Sequence, residues 1–505
     1  FCSSLSTILL MSSCSCAHHR QPVGRHLVVH LFISALTADG VRKWGLNADL
    51  IPRIWWLPRA NSATSISARA AAVPALTASP KLFSAAERGR KATLVLAKTV
   101  IACAGSRAAR HRVDRQVGLS RQTVVQTVGP DMGPGGSKHE GVALAVDGML
   151  YAPPWSASYP MRFDPVSKEL SSIGPSLGSM KRKYGGNLMP DLASGRLYVP
   201  PWNANKVLEL YPEDGSAKAI GPDLGSTPSK YYGLALARNG VFFAAPWNAR
   251  FFLEINPTTG QVREFGPDLG ALKEKYCGIV AGCNGNLYAV PRNARRVLEL
   301  DPISGIVRAI GADLGRGSSK YEHVVEAANG RLYAAPWSAR KVLEVDPLTA
   351  GVRLIGPDLG GGVSKYSSAL CMLSGDFIFV VPWSARRVLE IDVARGTVSE
   401  IGIDLGDISP KYYGLALSNS GFLYAAPWSA RRVLEIDPIT HNAYEVGPDL
   451  GFSRAKYAGI AAGANGFVYA VPREARQWLE VQPSKILNHS VSDVLSTGLL
   501  NQEKK

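Results

Sequence analysis

Short apolar runs alternate with turn residues along most of this chain, and the alternation is itself periodic. A clean copy of the unit starts at Lys411. It reads Lys-Tyr-Tyr-Gly-Leu-Ala-Leu, a turn, Phe-Leu-Tyr-Ala-Ala-Pro-Trp-Ser-Ala-Arg-Arg-Val-Leu-Glu-Ile-Asp-Pro, a second turn, and Gly-Pro-Asp-Leu-Gly at 447–451. The aromatic after the Lys falls at His139, Tyr184, Tyr231, Tyr276, Tyr321, Tyr366, Tyr412 and Tyr457, at spacings of 45, 47, 45, 45, 45, 46 and 45. Within one unit, 233–237, 242–246, 251–255 and 262–265 read as four strands. Asn239-Gly240 and Pro257-Thr-Thr-Gly260 supply the turns, with Gly and Pro where the backbone needs them. No unit holds an amphipathic stretch of helical length.

A period near 45 with four strands per unit predicts a propeller blade. Residues 121–483 are expected to form a single all-β, eight-bladed propeller of four-stranded blades. The first strand is Gly/Ala-rich in most units, as in 459–463, which suits the crowded axis. A blade-type segment, 123–128, precedes the first Lys-aromatic pair, and the last unit stops after its third strand near Val481. The expected closure is therefore 3+1, which removes the open sheet edge. A strand from the tail, through Lys485–Val491, is the alternative. Lys-Tyr-Tyr-Gly-Leu-Ala-Leu recurs at 230 and 411, and Ala-Val-Pro-Arg at 289 and 470. These offsets of 181 predict a four-blade block duplicated once.

Composition changes the picture only at the N-terminus. Net charge is +16, but residues 1–120 hold sixteen Lys/Arg against four Asp/Glu. The remaining 40 Lys/Arg and 36 Asp/Glu leave only +4 for the ring and the tail 484–505. The basicity thus marks no phosphate-binding face, and no nucleic-acid partner is expected. Segment 1–120 is acid-poor and Arg/Ser-rich, as in organellar transit segments, and Leu27–Ala38 has the look of a secretory apolar region. It is expected to be a targeting leader or a disordered extension; without targeting the compartment is cytoplasmic. No stretch is long enough to span a membrane as a helix, and a monomer is expected. Cys277, Cys283 and Cys371 are the ring cysteines. Three in so large a domain make no disulfide framework. Cys277 and Cys283 read as buried hydrophobes.

In such a blade the loop before strand one and the loop between strands two and three emerge on one face, here called the top. It is expected to collect Lys230, Tyr231, Trp247, Lys320, Tyr321, Trp337, Arg340, Trp383, Arg386, Trp428 and Arg431 as a candidate binding surface for a protein or a glycan. The Trp positions (155, 202, 247, 337, 383, 428) read structurally as inter-blade packing with bonded indole N–H groups, and functionally as stacking platforms. Arg292 and Arg473 replace two of them. Each Arg of the Trp-x-Ala-Arg loop precedes a Glu by four, as Arg250 precedes Glu254, and is expected to pair with it; Ser158 and Asn205 lack the cation. The Lys series (138, 183, 230, 275, 320, 365, 411, 456) is expected to pair with the Asp of Asp-Leu-Gly. That Asp reads as an Asx turn. Calcium is the alternative, without the dense acidic loop it favours, and no cofactor is predicted. Glu140, Asn187, Glu322 and Glu326 are the polar candidates for the channel. His139, His323 and His441 lie in no catalytic motif.

The core from Asn329 to Ala350 resembles the blades of NHL, YVTN and SMP-30-type propellers and of repeat arrays in protist and algal proteins. The resemblance implies fold over 121–483. Two functions follow as expectations: a non-catalytic scaffold binding a protein or glycan on the top face, or an SMP-30/lactonase-like metal-dependent hydrolase or lyase with Glu140, Glu322 and Glu326 in the channel. Limited proteolysis of the full chain should leave a resistant core starting near residue 120; a resistant N-terminal fragment would contradict the leader assignment.

Overall fold

A computed structural model describes residues 123–185, 188–371 and 376–484. The leader and the tail beyond 484 lie outside them, as does Asn187. Eight four-stranded antiparallel sheets form the ring, and no helix occurs among the described residues. Blades 1 to 7 follow in chain order, with blade 3 built from Tyr231–Leu236, Phe242–Pro246, Phe252–Asn256 and Gln261–Phe265. Blade 8 combines Tyr457–Ala462, Val468–Pro472 and Trp478–Gln482 with Val124–Val128 as its outermost strand. Five consecutive pairs from Val124↔Gln482 to Val128↔Trp478 close the ring in the 3+1 manner.

The core is divided among the seams. Each pair of adjacent blades encloses its own apolar cluster, such as Phe243 and Phe252 against Ile279 and Leu298 between blades 3 and 4. The Glu of each Val-Leu-Glu strand is a buried polar node rather than a partner of the preceding Arg. Glu254 takes Arg263 from the fourth strand at 2.9 Å, and Glu299 takes Arg308 and the Tyr288 hydroxyl, both at 2.9 Å.

The innermost strands run so close that backbone meets backbone. A Cβ on Gly278 would lie 2.8 Å from the Glu322 carbonyl oxygen, and Gly278 has φ +77. A side chain is therefore excluded twice, by space and by conformation. The innermost strand also carries a bulge, between Tyr231 and Leu234 in blade 3 and between Tyr321 and Val324 in blade 5. A bulge re-aims the residues it contains. Here it turns the residue after each Lys-aromatic pair toward the axis.

Closure gives a direct check. Val125 is buried against Gly447 in the last seam. Val125→Asp places an unpaired carboxylate there and should cost about 3 kcal/mol. Its thermal unfolding should fall well below that of Val124→Asp, which changes an exposed neighbour; equal unfolding temperatures would contradict the closure.

Candidate functional site

The side chains at the Pro-Trp position form one closed belt on the top face. Ring centroids of Trp155 and Trp202 lie 5.9 Å apart, and Trp202 and Trp247 5.0 Å. The Arg292 guanidinium sits 4.5 Å from the Trp247 ring and 5.5 Å from that of Trp337. Trp337 and Trp383 follow at 5.5 Å, then Trp383 and Trp428 at 5.1 Å. Arg473 completes the belt, 4.6 Å from Trp428 and 5.3 Å from Trp155. Six indoles and two cations thus touch in sequence, and Arg292 and Arg473 fill their Trp positions by cation–π contact.

Inside the belt stand the bulge residues. The Tyr232 and Tyr413 hydroxyls hydrogen-bond to each other from opposite blades, which places them on the axis. Tyr232 packs against Trp202 and Trp247, each at 5.5 Å, and Tyr413 against Trp383 at 5.7 Å and Trp428 at 5.6 Å. From the crosswise blades come Glu140, paired with Arg473, and Glu322, 3.5 Å from Arg292. Arg292 is shared with Glu274 on the rim at 3.2 Å. The halves are alike at these positions but not identical. Gly185, Cys277 and Glu274 stand where the other half has Ser367, Ala458 and Ala455.

Burial governs the electrostatics. Desolvation pushes the Glu322 carboxyl up to about 8 against the opposing pull of Arg292, and it raises Glu140 too. The Cys277 thiol is pushed well up by burial, and His323 is held down at about 4. Among the described residues, twelve buried side-chain polar atoms have no hydrogen-bond partner. Five of them gather here: Trp155 Nε1, Trp202 Nε1, Glu322 Oε2, His323 Nδ1 and Arg473 Nε. Such atoms are costly when buried, and the other seven are spread over the rest of the ring.

Several expected site residues lie elsewhere. Lys230, Tyr231, Lys320 and Tyr321 are buried in the seams. The expected Lys–Asp pairing is not formed. Lys230 Nζ donates to the Ala204 carbonyl at 2.9 Å and Lys320 Nζ to that of Gly317 at 2.6 Å. A buried ammonium needs several acceptors in fixed positions, and these loop carbonyls supply them. The expected Arg–Glu pairing fails as well. Arg250 lies in the bend before its strand begins at Phe252, so strand alternation does not apply to it. Arg340, Arg386 and Arg431 reach the Asp eighteen residues on, at 2.8, 2.9 and 2.9 Å, and make an outer, exposed ring of pairs. That Asp also accepts its own Asx-turn bond, Gly360 N to Asp358 at 2.9 Å. Where the loop has Ser158, Ser176 stands at the Asp position eighteen residues on, and Asn205 donates to Asp223 at 3.2 Å. A cleft of about 490 Å³ opens beside Ser158, between Asp131 and Tyr159. Trp247, Trp337, Trp383 and Trp428 are in the belt as expected for the top face, although two of the six indoles lack the expected N–H partner. Glu140 and Glu322 converge on the axis. Glu326 is buried near the far end of its strand, close enough to Arg238 to feel its charge.

No family model and no curated protein matches the chain. Solved structures do. The virginiamycin B lyase of Staphylococcus aureus shares 13% identity over 59% of this chain and 94% of its own, with a TM-score of 0.46. A streptogramin B lyase shares 15% over 72% of this chain and 98% of its own, at 0.45. The extracellular domain of a two-component system from B. thetaiotaomicron shares 9% over 69% and 52%, at 0.44. At these scores the neighbours single out neither the NHL nor the SMP-30 family. Likeness at this level assigns no activity. Among the described residues no three or more His, Cys, Asp or Glu side chains are grouped to hold a metal ion, and no helix is long and apolar enough to cross a membrane.

Glu322 gives the site a pH signature. An ordinary carboxyl near 4.5 ionises in the unfolded chain, whereas the folded ring keeps its proton to about 8. The unfolded state therefore binds fewer protons across that window, and stability falls as pH rises through it. Glu322→Gln removes this slope. The stability of the variant relative to the natural chain should grow between pH 5 and pH 8 (roughly the carboxyl window), read by denaturant unfolding; a pH-independent difference would show Glu322 to be ionised throughout.

Proposed function

We propose that the ring is a non-catalytic binding module that holds a protein or glycan ligand over the central mouth of its top face. The observation that carries this reading is the belt. Six indoles and two guanidiniums encircle buried carboxyl groups and phenols. Trp and Arg are the residue types that anchor interfaces. Trp202, Trp337, Trp383 and Trp428 stay partly exposed, so a ligand reaches their faces without unfolding a blade. The outer Arg–Asp pairs are open to solvent and contribute little to stability; they surround the mouth as a polar rim.

The hydrolase or lyase reading asks the channel acids to bind metal or act on substrate. Glu140 and Glu322 do face the axis, but each is engaged by an Arg, and Glu326 stands apart near Arg238.

The test sets the full natural chain beside an Arg292→Ala/Trp383→Ala variant on glycan and peptide arrays. Binding to a defined spot should be present in the natural chain and reduced at least about tenfold in the variant, with thermal unfolding retained. Spots bound equally by both chains would remove the mouth as the site. Metal-dependent hydrolysis of a lactone or phosphoester, abolished by Glu322→Gln, would replace the binding reading with the enzymatic one.

A further inference from the structure

We propose that the cleft in the seam of blades 8 and 1 is a second binding site, away from the mouth, and that it takes an unmodified tyrosine side chain of a partner protein. The ring itself shows what fits there. In the other seven seams the aromatic after the Lys is a tyrosine, from Tyr184 to Tyr457, buried against the blade before it. Its hydroxyl reaches the outer strands of its own blade. Tyr366 donates to Glu400 at 2.8 Å, Tyr412 to Glu445 at 2.7 Å and Tyr321 to the Lys341 carbonyl at 3.3 Å. In blade 1 the aromatic is His139, a shorter side chain with Nδ1 turned to the Pro153 carbonyl at 3.1 Å. Ser172 stands at the place of Glu400 and Glu445, and Tyr159 at that of Lys341. His139, Ser172 and Tyr159 all line the open cleft of about 490 Å³. The cleft thus lies where a tyrosine ring sits in the other seams. Exposure agrees, since Met161 is half-buried whereas its equivalents Leu389 and Leu434 are fully buried. Trp478 of blade 8 fills the neighbouring part of the seam by stacking on Phe163, centroids 4.6 Å apart, and neither ring lines the cleft.

The chemistry of the cleft suits a phenol. Met132, Met161 and Leu170 give it apolar walls that solvent reaches. The Ser172 hydroxyl is exposed and directs its own proton to Met161 Sδ at 3.5 Å, so its oxygen is left to accept. A phenol donates there as Tyr412 donates to Glu445. A phosphorylated phenol is a different matter. The Arg that six of the other loops carry is Ser158 here, and Tyr159 follows in place of the second cation. Lys138 is engaged, with Nζ on the Gly135 and Ala475 carbonyls at 2.9 and 3.0 Å. Burial holds His139 down at about 4, so it is neutral at neutral pH. Asp131 stands on the edge and takes up the Arg476 guanidinium. A phosphate would thus meet a carboxylate and no free cation among the lining residues, the reverse of what recognises it. The occupant comes from another molecule, because 1–122 and 485–505 of this sequence contain no tyrosine.

The test titrates the full chain with p-cresol, toluene and p-tolyl phosphate, and with the blocked peptide acetyl-Gly-Tyr-Gly-amide and its phosphotyrosine form, read by ligand-observed NMR. The tyrosine peptide and p-cresol are expected to bind saturably, and both phosphorylated probes at least about tenfold more weakly. His139→Tyr restores the residue of the other seven seams and fills the cleft from within. It should abolish binding with thermal unfolding retained. Ser172→Ala, at an exposed position that folding tolerates, should weaken p-cresol on the order of fivefold and leave toluene unchanged. Lys218→Ala, on the outer strand of blade 2, should leave every probe unchanged. Binding that survives His139→Tyr in a folded ring, or that ignores Ser172→Ala, would overturn the site. Phosphorylated probes bound as tightly as the plain ones would overturn the preference for the unmodified side chain. Binding of p-cresol without the peptide would overturn the protein partner, and no saturable binding of any probe would overturn the proposal as a whole.

Discussion

The whole ring hangs on a circuit of backbone hydrogen bonds between Lys and Trp peptides. In each blade the Trp N–H donates to the carbonyl of its own Lys, as Trp247 does to Lys230 at 2.8 Å. The next Lys N–H donates to that Trp carbonyl, as Lys275 does to Trp247 at 2.9 Å. The alternation passes through Arg292 and Arg473 without interruption and closes where Lys138 N–H meets the Arg473 carbonyl at 2.9 Å. Strand pairing holds each blade together; this circuit and the apolar seams run between every two neighbouring blades, and single seams add pairs such as His441 with Glu390 at 2.6 Å. The Lys ammonium doubles the connection. Lys138 Nζ reaches the Gly135 carbonyl of its own loop at 2.9 Å and the Ala475 carbonyl of the preceding blade at 3.0 Å. Burial depresses these ammonium groups, Lys275 and Lys456 to about 8, and the fixed carbonyls offset that cost.

This circuit explains why Trp and Arg can exchange at the belt. Their main chains carry the same bonds, so the side chain is free to vary as long as it packs flat between its neighbours. A guanidinium meets that condition because it is planar and lies well on an indole. Two such exchanges, 181 residues apart, put two cations across the axis, and the carboxylates opposite them follow at Glu140 and Glu322. The likeness of the two halves thus sets an acid beside a guanidinium at two places around the axis.

Much of the architecture was legible because it depends on local patterns that recur. The turns, the strand lengths, the Gly-rich innermost strand and the lone strand before His139 each pointed to the same closed ring, and Val124–Val128 pairs as that lone strand required. The site was less legible because its geometry comes from a bulge. Placing Lys230 and Tyr231 in the loop before the first strand puts the repeated Tyr231 forward; instead the strand begins at Tyr231, which is buried, and the bulge sends Tyr232 to the axis. A signal was present in the sequence. The position after the Lys-aromatic pair holds Glu at 140 and 322 and Tyr at 232 and 413, varying between blades with these two pairs alike in both halves. The Arg–Asp pairs had a similar trace, since Ser158 and Ser176 change together eighteen residues apart.

The distribution of satisfied groups ties fold to function. Away from the axis the repeated polar nodes are answered nearby: Glu by a cross-strand Arg or a Tyr hydroxyl, Asp by a turn N–H and an Arg, Lys by carbonyls. These answers recur because each is built within one blade or one seam. At the axis all eight blades meet, and a partner comes from the neighbouring blade, as Arg473 does for Glu140, or from across the ring, where spacing is set by the ring and not by the blade. Tyr232 and Tyr413 meet that spacing and bond to each other. The buried indole N–H groups of Trp155 and Trp202 do not, and repeating the unit cannot supply what they lack. The constraint that makes the ring rigid is thus the one that leaves hydrogen-bonding capacity at its mouth.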